Sequence, residues 1–164
     1  QAVQIGGPSG GCVSACEFGR RIAFEDVPTA GAFMVFDRSR DMFEVARNFA
    51  HFFEHESCGF CTPCRVGTAL VARRMDKLAA GHGSRVDLDV LLELDGLMHV
   101  ATHCGLGATA CNPLRDTILK FRPAYERHLK SLHFEPGFDL DAELSIARHM
   151  TGRDDPGAHL ETLS

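Results

Sequence analysis

The stretch ESCGFCTPCRVG, residues 56–67, places Cys58, Cys61 and Cys64 close together with two residues between successive thiols. Its glycine and proline predict a loop that leads into a helix, because Pro63 occupies a position where proline is tolerated in a first helical turn. Three thiols complete neither a set of disulfides nor a tetrahedral metal site. A fourth cysteine is therefore expected elsewhere in the chain.

The segments around this stretch have the period of helices. Apolar residues recur at three- and four-residue steps, and Ser39 is placed to cap the first helix. We predict four helices that form a small bundle, at about residues 39–53, 63–78, 87–100 and from 112 onward, the last interrupted at Pro123. A less regular tail follows residue 131, with a possible helix at residues 140–150.

Residues 1–37 have strand and turn character instead. Short runs of strand composition occupy residues 3–5, 21–24 and 32–36, and GGPSGG at residues 6–11 is interpreted as a turn between strands. A phosphate-binding loop is the weaker interpretation of GGPSGG, because neither the lysine of a P-loop nor a following helix is present. The fold class predicted is α+β.

Composition narrows the functional classes. The chain has 164 residues, of which 45% are hydrophobic and 24% charged, with a formal net charge of −5. This balance does not indicate a nucleic-acid partner, and no apolar run approaches the roughly 20 residues of a membrane-spanning helix. An odd count of seven cysteines without a signal peptide favours metal or redox chemistry in the cytoplasm over a disulfide framework. Because the sequence starts without Met inside a predicted strand, we expect it to be part of a longer protein.

The fourth thiol is predicted to be Cys104, in the sequence HCGLG just after the third helix. In a four-helix arrangement its loop and the cysteine loop lie at the same end of the bundle. A C-x-x-C-x-x-C run can bind three corners of a cubane while a remote cysteine binds the fourth. The hypothesis is a [4Fe–4S] cluster held by Cys58, Cys61, Cys64 and Cys104.

Other interpretations of these thiols stay open. Four thiolates also suit structural zinc, although such sites usually use two separated C-x-x-C pairs. Disulfides and unliganded core cysteines are further alternatives. Cys111 competes as the fourth ligand, and Cys104 is preferred because glycine follows it directly.

Three other residues that could bind a metal or act on one are not assigned such a role. Cys12 and Cys16 are taken as two unrelated thiols in preference to a second metal site. His103, beside Cys104, is taken as a solvated surface histidine in preference to a group that modulates the cluster.

The motifs ESCGFCTPCRVGT, HCGLGATACNP and LKF together resemble the C-terminal part of the NADH-oxidising flavoprotein subunit of respiratory complex I and its soluble relatives. The resemblance covers roughly residues 1–130. The stretches AVQIGGPSGGCVS, GAFMVFD and FDLDAEL are most similar to the diaphorase subunit of NAD-reducing [NiFe] hydrogenases. Relatives commonly have no cysteine at the position of Cys111.

This resemblance implies a fold and a function. Residues 1–37 would be the C-terminal end of a β-grasp-like domain, residues 38–130 a helical [4Fe–4S]-binding domain, and residues 131–164 a tail. NADH would reduce FMN in an upstream domain that this sequence lacks, and single electrons would pass through the cluster to partner clusters. The implied partners are that upstream FMN/NADH-binding domain, a small iron–sulfur diaphorase subunit and hydrogenase subunits, without nucleic acid and without membrane insertion.

Two functional hypotheses follow. The first is an electron-transfer module of an NADH-dependent oxidoreductase, in an NAD-reducing hydrogenase or alternatively in complex I or an NAD-dependent formate dehydrogenase. The second is a docking domain whose zinc or cluster only stabilises the helices. No catalytic, FMN-binding or NAD-binding residues are predicted within this segment.

Overall fold

A computed structural model describes residues 1–130 and 140–153, with side chains in the second range described from residue 144 onward. The chain divides into two compact units, Gln1–Lys130 and Ser131–Ser164. The first unit combines a small antiparallel sheet with a set of helices, so the α+β prediction is confirmed.

The sheet has three strands, β1 (Ala2–Ile5), β2 (Gly11–Ser14) and β3 (Phe33–Phe36), in the order β2-β1-β3. Both pairings are antiparallel, with Ala2 opposite Ser14 on one side and opposite Phe36 on the other. GGPSGG is the turn between β1 and β2, as predicted. The buried Gln4 side chain holds this turn, because its Nε2 donates at 3.0 Å to the carbonyls of both Gly7 and Gly10.

A short 3-10 helix, Ala15–Glu17, lies between β2 and β3, and six α-helices follow the sheet in the first unit. They are α1 (Met42–Glu56), α2 (Thr62–Ala79), α3 (Arg85–Ala101), α4 (Gly105–Thr109), α5 (Asn112–Lys120) and α6 (Arg122–Glu126). The four predicted helices correspond to α1, α2, α3 and α5, and the interruption predicted near Pro123 separates α5 from α6. The short helix α4 was not predicted.

One apolar core joins these helices. Apolar side chains at helical spacing bury one face of each long helix, and the largest fully buried members include Phe43, Phe53, Met75, Leu91 and Tyr125. The Tyr125 hydroxyl lies 2.6 Å from Thr117 Oγ1, so its polar end has a partner inside the core. At roughly 1.5–3 kcal/mol for each large apolar side chain, this burial dominates the stability of the unit.

Helix α5 connects the sheet to the helices. Asp116 Oδ2 accepts from the backbone N–H of Cys12 in β2 at 2.8 Å, and Asn112 Nδ2 donates to the Ser9 carbonyl at 2.9 Å. Lys120 Nζ lies 2.9 Å from Glu17 Oε2 and also donates to the Cys12 carbonyl. The edge strand β2 is therefore fixed to a helix by side chains of α5.

Two local predictions were wrong. Residues 21–24 do not form a strand; Arg20 and the backbone N–H of Arg21 both bond to the Asp26 carboxylate, and this side-chain contact closes a loop in place of strand pairing. The two strands that pair with β1 are β2 and β3, so residues 21–24 take no part in the sheet. The N-cap of α1 is Asp41, which accepts from Phe43 N at 3.0 Å, whereas Ser39 bonds to Asp37.

In the second unit the structure describes one helix, α7 (Leu140–Thr151), where a helix was expected. The rest of the predicted tail, residues 131–139 and 154–164, lies outside the described residues. Over the residues that the structure describes, no helix combines the length and apolar character needed to span a bilayer.

Candidate metal centre

The cysteine loop connects α1 to α2 and is braced on both sides of Gly59. The Gly59 N–H donates to Ser57 Oγ at 3.4 Å, and its carbonyl accepts from Arg65 Nη1 at 2.7 Å. Gly59 has a φ of +76°, a conformation that residues with a Cβ rarely adopt. The glycine therefore lets the chain turn between Cys58 and Cys61.

Three thiols of this loop and the thiol of Cys104 are close enough to influence one another. Burial raises the pKa of the Cys64 thiol, and negative charge on Cys61, Cys104 and Cys58 raises that pKa further, while a bond with Ser57 opposes the rise. Cys64 is 4% exposed, whereas Cys58 and Cys104 are exposed. The group therefore has a buried side at Cys64 and a side that faces solvent.

Backbone donors converge on Cys61. The backbone N–H of His103, followed by that of Cys64, lies near enough to the Cys61 sulfur to lower the pKa of that thiol. Cys61 is also the N-cap of α2, and Cys64 lies in the first turn. The positive end of the α2 dipole favours thiolate there.

Cys104 reaches this neighbourhood through the end of α3. Thr102 ends the helix, with Oγ1 donating to the Met98 carbonyl at 2.8 Å, and Cys104 is the N-cap of the short helix α4. The His103 ring, between them, packs edge-on against Phe60 of the cysteine loop, with ring centroids 5.6 Å apart. The loop after α3 is thus in direct contact with the loop after α1.

Cys111 has a different environment. It is 2% exposed, and its Sγ donates to Met98 Sδ at 3.8 Å. Burial, reinforced by the charge of Asp95, raises the pKa of its thiol to about 12. Although Cys64 lies near enough to affect it, Cys111 is a packed core thiol that disfavours the thiolate form a ligand needs.

The close packing of α2 on α3 beneath the cysteines depends on Gly67. A Cβ at this position would lie 2.5 Å from Met98 Sδ. Gly67 lies one helical turn beyond Cys64. Only glycine at this position lets the Met98 side chain fill the space in its present rotamer.

Within the described part of the chain, no three His, Cys, Asp or Glu side chains are arranged to hold a single metal ion. Zinc–sulfur bonds of about 2.3 Å would bring the ligand sulfurs around one ion to within roughly 4.6 Å of each other. A multi-iron cluster separates its ligand sulfurs more widely than one ion does. The spacing of these side chains therefore argues against a site for one metal ion and does not bear on a multi-iron cluster.

The remaining singled-out residues have separate roles. Cys12 is buried in the sheet with the pKa of its thiol raised to about 11, mainly by burial, and the exposed Cys16 lies 3.1 Å from Ser14 Oγ. The His103 side chain is exposed, as interpreted from the sequence, and its backbone N–H lies near enough to the Cys61 sulfur to lower the pKa of that thiol.

Sequence reasoning missed Ser57, whose hydroxyl lies 3.3 Å from Cys64 Sγ. The available signal was a hydroxyl residue directly before the first cysteine, at a helix end.

The chain is similar to a known protein family and to subunits of known oxidoreductases. Residues 44–128 match the family described as the NADH-ubiquinone oxidoreductase-F iron-sulfur binding region. Over 147 residues the chain is 41% identical to the NAD-reducing hydrogenase HoxS subunit alpha of Cupriavidus necator, covering 88% of this chain and 24% of that protein. Over 106 residues it is 35% identical to the mitochondrial NADH-ubiquinone oxidoreductase 51 kDa subunit of Neurospora crassa, covering 65% of this chain and 22% of that protein.

The chain is also similar to a solved structure of a hydrogenase. The crystal structure of an NAD+-reducing [NiFe]-hydrogenase in the H2-reduced state aligns with a TM-score of 0.77 and 50% identity, covering 97% of this chain and 28% of the matched chain. The chain therefore spans about a quarter of the length of these relatives. The resemblance stated from the cysteine motifs is confirmed, and the chain belongs to the NADH-ubiquinone oxidoreductase-F iron-sulfur binding region family.

Proposed function

We propose that this chain is the electron-transfer module of an NADH-dependent oxidoreductase, and that Cys58, Cys61, Cys64 and Cys104 hold a [4Fe–4S] cluster. The observation that carries the proposal is the contact between the loop of Cys58, Cys61 and Cys64 and the loop of Cys104, where the Phe60 and His103 rings pack with centroids 5.6 Å apart. The other three thiols also lie near enough to Cys64 to raise the pKa of its thiol. Thiolate is the donor that such clusters take. When bound, the cluster accepts and releases one electron at a time.

The residues around the thiols support this chemistry in two ways. Amide N–H groups at Cys61 and the N-terminus of α2 stabilise negative charge on sulfur without any movement of the protein. The buried Cys64 anchors the group to the helical core, while Cys58 and Cys104 keep its other side accessible to a redox partner. This arrangement combines a rigid support with an exposed side.

The finer architecture is proposed on the same basis. We infer that α1, α2, α3 and α5 form a four-helix bundle within a cluster-binding domain of residues 38–130. The three-stranded sheet of residues 1–37 would be the end of a β-grasp-like domain, and residues 131–164 a C-terminal tail. The shared core of the four helices and the antiparallel pairing of the strands support these assignments.

The assembly proposed is an NAD-reducing hydrogenase in the cytoplasm. Its partners would be an FMN- and NADH-binding domain, a small iron–sulfur diaphorase subunit and hydrogenase subunits. The support is the 41% identity with the hydrogenase subunit and the 50% identity with the solved hydrogenase. Identity with the 51 kDa subunit of NADH-ubiquinone oxidoreductase, at 35%, supports complex I as the second candidate. An NAD-dependent formate dehydrogenase stays an alternative from the resemblance of the sequence motifs alone.

Reversible reduction tests the proposed function. The anaerobically purified protein is titrated with dithionite and followed by visible absorption and EPR, then reoxidised. We expect an EPR signal that integrates to about one unpaired electron per chain and disappears on reoxidation. A metal centre that does not respond to dithionite would instead indicate a docking domain with a structural metal.

The choice of assembly needs a separate assay. In the native complex, hydrogen-dependent reduction of NAD+ would support the hydrogenase assignment. Quinone- or formate-linked activity in place of hydrogen-dependent activity would contradict it while leaving the electron-transfer module intact.

A further inference from the structure

Ser57 is held rigidly beside the cysteine loop. It is the C-cap of α1, and its backbone N–H donates to the Phe53 carbonyl at 3.1 Å. The Phe53 side chain is itself buried in the core. The position of the Ser57 hydroxyl is thus set by a helix end and not by the cysteine loop alone.

The contacts of the hydroxyl determine which way its proton points. Ser57 Oγ accepts the Gly59 N–H at 3.4 Å and lies 3.3 Å from Cys64 Sγ. A hydroxyl has one proton and two lone pairs. Because the amide fills a lone pair and a metal-bound thiolate has no proton to give, Ser57 is the donor to sulfur whenever Cys64 is a ligand.

We propose that Ser57 is a positioning residue that donates a hydrogen bond to Cys64 Sγ and thereby raises the reduction potential of the cluster. This inference rests on the proposed function. It assigns a role to a side chain that is not a ligand and acts only through Cys64.

Cys64 is the thiol at which such a bond has most effect. Water competes for hydrogen bonds at the exposed Cys58 and Cys104, but the buried Cys64 sulfur is shielded from it. A donor to a ligand sulfur stabilises the more negative, reduced form more than the oxidised form, and hydrogen bonds to the sulfurs are among the factors that set these potentials. One electron is added on reduction, while the Ser57 proton stays on its oxygen and no bond breaks.

An EPR-monitored redox titration of the cluster-loaded full chain tests the inference, with Ser57→Ala and Ser57→Thr compared with the unmodified protein. Ser57→Ala should shift the midpoint potential to a lower value at unchanged iron and sulfide content. Ser57→Thr keeps the hydroxyl and should keep the midpoint. Ser39→Ala is the matched control, because the exposed Ser39 hydroxyl bonds only to Asp37 among the described contacts; its midpoint should not move.

The outcomes are separable. An unmodified protein without a reducible cluster would refute the proposed function itself, whereas an intact cluster with equal midpoints in the serine and alanine proteins would overturn only the role of Ser57. If the Ser57→Ala protein does not take up the cluster, the Ser57→Thr protein tests the role of the hydroxyl instead. Loading with an unshifted midpoint supports a role for the hydroxyl, and failure to load or a shifted midpoint overturns it.

Discussion

Asp87→Asn should weaken the junction between α2 and α3. The Asp87 side chain is 2% exposed and binds Arg74 Nη1 at 2.6 Å and Lys77 Nζ at 2.8 Å, both from α2. It also accepts the N–H and the hydroxyl of Ser84, each at 2.8 Å, at the start of α3. The opposite end of α2 carries Cys64 and the opposite end of α3 leads to Cys104. This cluster of charges therefore helps to fix the two helices that support the candidate metal centre.

The size of the effect follows from the pKa of Asp87. Although burial alone would raise it, the bonds from Lys77 and Ser84 prevail and lower the pKa from 3.8 to about 2. At 1.36 kcal/mol per pKa unit, the charged carboxylate contributes about 2 kcal/mol to the free energy of unfolding. Because the folded-state pKa is the lower one, this contribution is complete well above pH 4 and is lost as the pH falls through about 2.

Urea unfolding at a series of pH values measures this contribution. We expect Asp87→Asn to lower the free energy of unfolding by about 2 kcal/mol at pH 7, and the difference from the unmodified protein to shrink between pH 5 and pH 2. Asp89→Asn, an exposed carboxylate on the same helix, is the control and should change it by less than about 0.5 kcal/mol. A cost for Asp87→Asn that is negligible at pH 7, or that does not vary with pH, would refute the reasoning.

Three further predictions concern the metal centre and its support. Cys104→Ser should lose or convert the cluster while Cys111→Ser keeps it, as measured by iron content; equal loss in both variants would contradict the assignment of the fourth ligand. Gly67→Ala should destabilise the protein by roughly 1–3 kcal/mol in urea unfolding, because its Cβ would lie 2.5 Å from Met98 Sδ. Its cost should fall when Met98→Ala is also present, and strictly additive costs would exclude this clash as the cause. Removing iron with an oxidant and a chelator should lower the thermal midpoint, because the four proposed ligands come from two separate loops; an unchanged midpoint would argue against a shared site.

The sequence was most informative where one signal determined the local structure. The apolar periodicity located the four long helices because each buries one continuous stripe in the core. The spacing of Cys58, Cys61 and Cys64 predicted the loop that carries the candidate site. The turn before β2 was likewise recognised from its glycines.

The errors arose where side chains compete with regular backbone pairing. At residues 21–24 the apolar pattern favoured a strand, but the Asp26 carboxylate captures the neighbouring backbone and Arg20. Asp41 and Ser39 both have side chains that can cap the N-terminus of α1. Asp41 is the cap because the Ser39 hydroxyl is bonded to Asp37 instead. Such contacts are not encoded in periodicity.

The contact between Ser57 and Cys64 shows a second limit of the sequence. The two residues are seven positions apart, and their approach depends on the turn at Gly59 and on the first turn of α2. Burial of Cys111 and exposure of Cys104 also depend on how α3, α4 and α5 pack. Spacing alone therefore left the fourth ligand open, whereas the packing distinguishes the environments of these two thiols.

The most direct test of the central claim is the iron, acid-labile sulfide and zinc content of the anaerobically purified protein. The account predicts about four irons and four sulfides per chain and no stoichiometric zinc. One zinc per chain without labile sulfide would contradict it, and the four thiols would then belong to a structural site.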